Sequence, residues 1–156
     1  MEEILYELNG LQTLSQEEVC SFLQETDSLV IPKLSDLVNL EDYARKLVEK
    51  AVIVTARDKG NLIGLSALYF NKAPDYSYSP FTMVKREYQR YGLVGWEMMD
   101  RINEYAKSNG SAGLRYEIRK SNKPLLTFNL RQGARIVEER VYPNTDVAAL
   151  LMEMDY

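Results

Sequence analysis

The stretch VKREYQRYGLVGWEMMDRI, Val84 to Ile102, sets two glycines and three basic side chains (Lys85, Arg86 and Arg90) at the entrance of a segment that otherwise reads as a helix. From Leu93 onward the apolar positions 96, 98, 99, 102, 105 and 106 have helical spacing. A glycine inside a helix lowers its stability by roughly 0.5–1 kcal/mol relative to alanine. Gly92 and Gly95 therefore predict a need for bare backbone at this entrance. A strand ending at Val84, a short basic loop and a helix starting near Gly92 make an anion site, because the first helical N–H groups have no partner and the macrodipole adds positive charge.

Working outward, "SNG" at 108–110 supplies a glycine stop for that helix, and "AGLRYEIR" (112–119) reads as the next strand. Asn122 with Pro124 opens a further helix that ends at Gly133, followed by strands over 134–142 and 146–156. On the N-terminal side, "AVIVTA" (51–56) and "LIGLSALYF" (62–70) flank turn residues near Lys59-Gly60 and predict a hairpin. The run "YSYSPFTMV" (76–84) is strand-like, and Pro80, lacking a donor, predicts a bulge within it. Ser15-x-x-Glu18 and Asn39-x-x-Asp42 mark the starts of two helices, about 16–25 and 40–50. The order is helix, helix, three strands, helix, strand, helix, strand, strand, an α/β arrangement with a mixed sheet.

At 156 residues and 46% hydrophobic, the chain has the size of one domain, and no repeat or linker divides it. The single cysteine, Cys20, excludes an intrachain disulfide and reads as a small buried group. Histidine is absent, which excludes Ser-His-Asp and Cys-His nucleophile systems and paired zinc ligands, so no metal is expected. The net charge of −4 argues against general nucleic-acid binding. No apolar run approaches the roughly 18–20 residues of a membrane span, and the acidic start "MEEILYELNG" lacks the basic region of a signal peptide, so a cytoplasmic protein is expected.

The loop is neither Gly-x-x-x-x-Gly-Lys-Ser/Thr nor Gly-x-Gly-x-x-Gly, so nucleotide hydrolysis and Rossmann dinucleotide binding lose support. It resembles instead the signature of the GNAT N-acetyltransferase superfamily, a strand ending in Val followed by Gln/Arg-x-x-Gly-x-Gly/Ala. Gln89 and Gly92 match, and Val94 stands where Gly or Ala is usual. A second block, "LRYEIRKSNKPLLTFNLRQGARIVEER", is similar to the family's later strand-helix-strand segment, with Asn122 at its recurrent asparagine and Gly133 at the glycine ending the helix. The resemblance covers about 51–142.

That resemblance implies a mixed, mostly antiparallel central sheet of six to seven strands flanked by four helices. It implies that acetyl-CoA is bound by Met83, Val84, Gln89, Arg90, Tyr91, Gly92, Leu93, Val94, Gly95, Asn122 and Phe128, with loop amides on the diphosphate and a backbone N–H near Met83 polarising the thioester carbonyl. The fourth strand should splay from the fifth, the pantetheine arm lying between them. The reaction implied is attack of a neutral amine on the acetyl thioester, with a small-molecule amine such as an amino sugar as acceptor. The family often places a tyrosine seven residues after the asparagine to protonate the leaving thiolate; Asn129 stands there, so water or a nearby tyrosine must substitute.

Glu117 is the candidate base, on the strand face shared by Arg115 and Arg119; the alternative is an ion pair with a neighbouring arginine. Tyr78, with Tyr76, either lines the acceptor cleft and relays a proton or simply packs. Met98, Met99, Ile102 and Tyr105 are expected in the core, and Trp96 is expected against the sheet. Two other readings of the chain are a non-catalytic acyl-CoA-binding or regulatory module and an interaction protein that binds no cofactor. The apolar last strand, "AALLMEM", leaves a homodimer open.

Overall fold

The computed structural model describes residues 3–89 and 92–156. Both N-terminal helices start where their capping residues stand. Ser15 Oγ accepts from the Glu18 N–H (3.3 Å) at the head of α1 (Gln16–Thr26), and Asn39 Oδ1 accepts from the Asp42 N–H (3.0 Å) at the head of α3 (Leu40–Lys50). Between them lies a single helical turn, α2 (Leu34–Leu37). A strand that the pattern reading did not include, β1 (Ile4–Asn9), precedes α1 and pairs antiparallel with β2 (Val52–Asp58). Asn9 Nδ2 ties it there by donating to the Ile53 carbonyl and Thr55 Oγ1, each at 3.1 Å.

β2 turns into β3 (Asn61–Leu68) through Lys59 and Gly60, whose φ angles of 50° and 84° are the left-handed pair that a two-residue hairpin requires. The 76–84 run is two strands, not one. β4 (Ser77–Ser79) and β5 (Thr82–Val84) lie on either side of Pro80 and join different sheets. A residue without an N–H cannot continue a ladder, and the chain changes partner there. The remaining elements are α4 (Leu93–Ser108), β6 (Gly113–Arg119), α5 (Lys123–Arg131), β7 (Arg135–Val141) and β8 (Ala148–Asp155).

The expected single sheet of six to seven strands is thus two four-stranded sheets, ordered β1-β2-β3-β5 and β4-β6-β8-β7. All neighbours are antiparallel except β4 and β6. The two sheets touch where Tyr69 and Tyr78 exchange backbone hydrogen bonds of 2.8 and 3.0 Å.

Strand alternation sorts the core into two layers. Ile53, Leu65 and Ala67 pack with Val19, Phe22, Leu23, Ala44 and Leu47 of α1 and α3. Val52, Val54 and Ala56 pack with Met98, Ile102 and Ala106 of α4 and with Leu114, Tyr116 and Ile118 of β6. The buried stripe of α4 runs through 98, 102 and 106, so Trp96, two residues and about 200° away from Met98, is 54% exposed instead of lying on the sheet. Cys20 is half-buried. No helix among the described residues is long and apolar enough to cross a membrane.

Candidate active site

β4 and β6 are paired in parallel through Ser77–Leu114, Tyr78–Arg115 and Ser79–Tyr116, and then they part. Beyond Pro80 the chain, now β5, pairs only with β3 on its far side, which leaves a wedge-shaped gap between β5 and the second half of β6. α4 follows β5 and α5 follows β6, so both helices begin at the carboxyl ends of neighbouring parallel strands. Open α/β sheets hold their ligands in that crevice.

The register decides which backbone groups face the gap. Lys85 donates its N–H to Ile63 (2.8 Å) and Phe81 accepts from Ala67 (2.9 Å), so 81, 83 and 85 are the positions bonded to β3. Met83 opposes Leu65 and turns its N–H to β3, so a donor near Met83 that faces the gap is a neighbour's and not that of Met83 itself. The donors turned into the gap belong to Thr82 and Val84, Thr82 standing nearer the apex. On the α4 side the Thr82 hydroxyl lies 2.7 Å from Ser66 Oγ and 3.1 Å from Met99 Sδ.

At the mouth of the gap Gly92 is the N-cap of α4, with φ of 69° and no side chain to cap the first turn. A Cβ built on Gly92 would meet no atom of the described residues within 4 Å, and the first N–H groups of α4, those of Leu93, Val94 and Gly95, have no partner within the helix. A Cβ on Gly95 would lie 3.8 Å from Val84 Cγ2, an ordinary contact, so the expected need for bare backbone does not extend to this position. Gln89 braces the turn by donating its side-chain N–H to the Val84 carbonyl (2.8 Å). Arg90 and Tyr91 lie outside the described residues. Lys85 pairs with Glu25 at 2.6 Å, and the adjoining concavity of about 340 Å³, lined by Glu25, Lys85, Arg86 and Glu87 among others, carries both signs of charge. The helix amides are therefore the stronger anion donors here. Across the gap, Asn122 Oδ1 caps α5 at the Leu125 N–H (3.4 Å), and Phe128 is left half-exposed on α5.

On the α1–α3 side of the apex the two candidate catalytic residues meet. Tyr78 Oη lies 3.5 Å from Glu117 Oε1, and Tyr142 donates to Glu117 Oε2 at 3.1 Å. Arg140 approaches the same carboxylate at 3.5 Å, the ion pair given as the alternative reading of Glu117. Arg119 donates to the Tyr142 hydroxyl (2.6 Å), lies 4.4 Å above its ring and donates to the Ile31 carbonyl (3.2 Å), fastening the α1–α2 loop to this wall. Burial and the Glu117 charge push the Tyr78 phenol up to about 12. Tyr43 is pushed up too, first by burial and then by Tyr69, Tyr78 and Glu117, which places these groups in one field. Tyr69 Oη is buried and has no hydrogen-bond partner among the described residues. The sequence reading missed Tyr43, Tyr69 and Tyr142; Tyr142 is 25 residues from Glu117, and only the return of the β7–β8 hairpin brings it there.

On the opposite side of β6, Asn129 occupies the position considered for a thiolate acid. Its Oδ1 accepts from the Tyr116 hydroxyl at 2.5 Å, and its Nδ2 donates to the Leu125 carbonyl at 2.8 Å. Among the described residues no cluster of three or more histidine, cysteine or acidic side chains has the form of a metal site.

This split sheet with helices on both faces is the GNAT acetyltransferase fold, and solved structures of that fold superpose over nearly the whole chain. The ribosomal-protein-S18-alanine N-acetyltransferase of Escherichia coli matches with a TM-score of 0.75 and 19% identity, over 97% of this chain and 94% of its own. An acetyltransferase of the GNAT family from Streptococcus pneumoniae matches with a TM-score of 0.72 and 16% identity, over 98% and 99%. A putative streptothricin acetyltransferase from Bacillus anthracis, solved in complex with acetyl coenzyme A, matches with a TM-score of 0.58 and 22% identity, over 72% and 67%. No protein-family model matches the chain, and no curated protein matches it in sequence.

Proposed function

We propose that this protein is an acetyl-CoA-dependent N-acetyltransferase acting on a primary amine of a small molecule. The observation that carries this reading is the wedge between β5 and β6, with unpaired α4 amides at its mouth and the Glu117 carboxylate at its apex. The diphosphate of CoA would sit on the N–H groups of Leu93 to Gly95, and the pantetheine arm would run along the free edge of β5. Thr82 and Val84 donors line that path, and Thr82 is the one placed to polarise the thioester carbonyl.

A primary alkyl amine, with a pKa of about 10.4, must lose a proton to attack at neutral pH. Glu117 attracts the ammonium and takes that proton, directly or through Tyr78, while the phenols of Tyr43, Tyr69 and Tyr142 wall the acceptor cleft. The last strand, β8, is paired on both sides, by β6 and β7, so a homodimer would form along the edge strand β7, every residue of which is exposed. A single cysteine fits a reducing cytoplasm.

Calorimetry with acetyl-CoA, followed by thiol release against a panel of amines, tests the proposal. Glu117→Gln should leave CoA affinity unchanged and lower kcat by about 100-fold or more. Absence of acetyl-CoA binding overturns the reading, and binding without thiol release overturns its catalytic part.

A further inference from the structure

Arg115, Arg119, Arg135 and Arg140 stand on the face of sheet two that holds Glu117, and they differ in how their charge is met. Arg115 pairs with Glu153 at 2.6 Å, Arg135 with Asp155 at 2.9 Å and Arg140 with Glu138 at 3.1 Å. Arg119 has no carboxylate partner among the described residues. Yet it is half-buried, as is Arg57, which has Glu18 at 2.7 Å. A cation that has given up part of its hydration without a counter-ion is costly to keep. The register shows how Arg119 misses its nearest acid. Glu117 and Glu138 both oppose Leu151, and Arg119 and Arg140 both oppose Ala149, so β6 and β7 carry the same acid and base on one face. In β7 the pair closes on itself. In β6 the Tyr142 hydroxyl stands between, accepting from Arg119 at 2.6 Å and donating to Glu117 at 3.1 Å. Arg119 Nε is tied to the Ile31 carbonyl, and its Nη2 amino group has no partner among the described residues.

We propose that the acceptor is a zwitterion, an amino acid carrying its amine and carboxylate on the same or adjacent carbons, with the amine at Glu117 and the carboxylate on Arg119. This rests on the acetyl-transfer reading above. One hydroxyl bonds both groups, so the Glu117 carboxylate and the Arg119 guanidinium are no more than about 6 Å apart. That spacing suits an ammonium and a carboxylate separated by one or two carbons, and not the two ends of a long chain. A guanidinium presents N–H groups in a planar fork that matches a carboxylate, and the open amino group of Arg119 supplies part of that fork. The charges of Glu117, Glu138, Arg119 and Arg140 balance. A zwitterion leaves this wall neutral, whereas a simple alkylammonium adds a charge that nothing on it meets. Anchored by its carboxylate, the acceptor loses rotational freedom before reaction and holds its nitrogen at the apex of the gap.

Thiol release from acetyl-CoA is measured with glycine, L-alanine, L-serine, L-phenylalanine and β-alanine, each beside its carboxamide, and with an amino sugar and a diamine. The carboxamide keeps the amine and removes the negative charge. At least one acid should exceed its carboxamide in kcat/KM by about 10- to 100-fold, the difference lying in KM for the amine. In Arg119→Gln the ratio of acid to carboxamide should fall to near unity, and Arg119→Lys should recover part of it. The ratio is internal to each protein, so any loss of stability from releasing Ile31 does not enter it. Arg140→Gln, which removes a charge already matched by Glu138, should keep the wild-type ratio. Carboxamides used as well as the acids, turnover of the amino sugar or the diamine alone, or a ratio that Arg119→Gln leaves unchanged overturns the proposal. Absence of thiol release with every amine overturns acetyl transfer itself, and that is read on the wild-type protein without any variant.

Discussion

Replacing Gly92 with alanine separates the backbone role of this residue from its ligand role. At φ of 69° the residue is in the left-handed region, where a Cβ costs roughly 1–2 kcal/mol. A domain of this size is stable by about 5–15 kcal/mol, so Gly92→Ala stays folded, with a melting temperature lower by about 2–8 °C. The new methyl meets no atom of the described residues within 4 Å and stands at the N-terminus of α4, beside its first amides. Loss of one charge-assisted hydrogen bond to a phosphate oxygen is worth about 1.5–3 kcal/mol, roughly a tenfold to hundredfold weaker affinity for CoA at 1.4 kcal/mol per factor of ten. Calorimetric titration of CoA, beside a thermal melt, reads both effects on one sample. Gly92→Asn tolerates the left-handed backbone and should recover most of the stability but not the affinity. Gly95→Ala, whose methyl makes an ordinary 3.8 Å contact with Val84, should bind CoA as the wild type does and melt no lower. If Gly92→Ala loses stability as expected and binds CoA as tightly as wild type, the diphosphate is not held on these amides.

Leu114 is fully buried between β6 and α4, and Leu114→Ala should cost about 2–5 kcal/mol in urea unfolding. A loss under about 1 kcal/mol would mean that this layer is not tightly packed. Arg135 beside Asp155, aided by the Tyr76 hydroxyl, holds the Asp155 carboxyl at about 2, below its ordinary 3.8. A carboxyl depressed by folding contributes stability above 3.8 and loses that contribution as the pH falls toward about 2. Asp155→Asn should therefore show a shallower loss of stability than wild type across that interval, followed by circular dichroism; identical acid transitions would refute the pairing.

Much of the fold was legible because it is written in local chemistry. Ser15 and Asn39 cap the helices they announce, Lys59-Gly60 makes the hairpin turn, and Leu114, Tyr116 and Ile118 face one layer with Glu117 on the other. β1 was not legible, since its six residues are stabilised by pairing with β2 and by Asn9 reaching across to Ile53 and Thr55, contacts more than 40 residues away in the chain. Nor was the change of sheet at Pro80, which the missing donor permits but which only the competing partners, β6 before it and β3 after it, bring about.

The site divides in the same way. The sequence by itself determined that the segment from Val84 to Gly95 carries a strand, a turn and a helix entrance with bare backbone, because glycine and helix-end chemistry are properties of neighbouring residues. It also determined that Glu117 and Tyr116 look in opposite directions, which follows from strand alternation. Tertiary structure alone decided that Thr82 and Val84, and not Met83, turn their donors into the gap, because that depends on the register with β3. It alone decided that Tyr78 and Tyr142 meet at Glu117, because hydrogen bonds between distant strands are set by how the sheets pair and not by spacing along the chain.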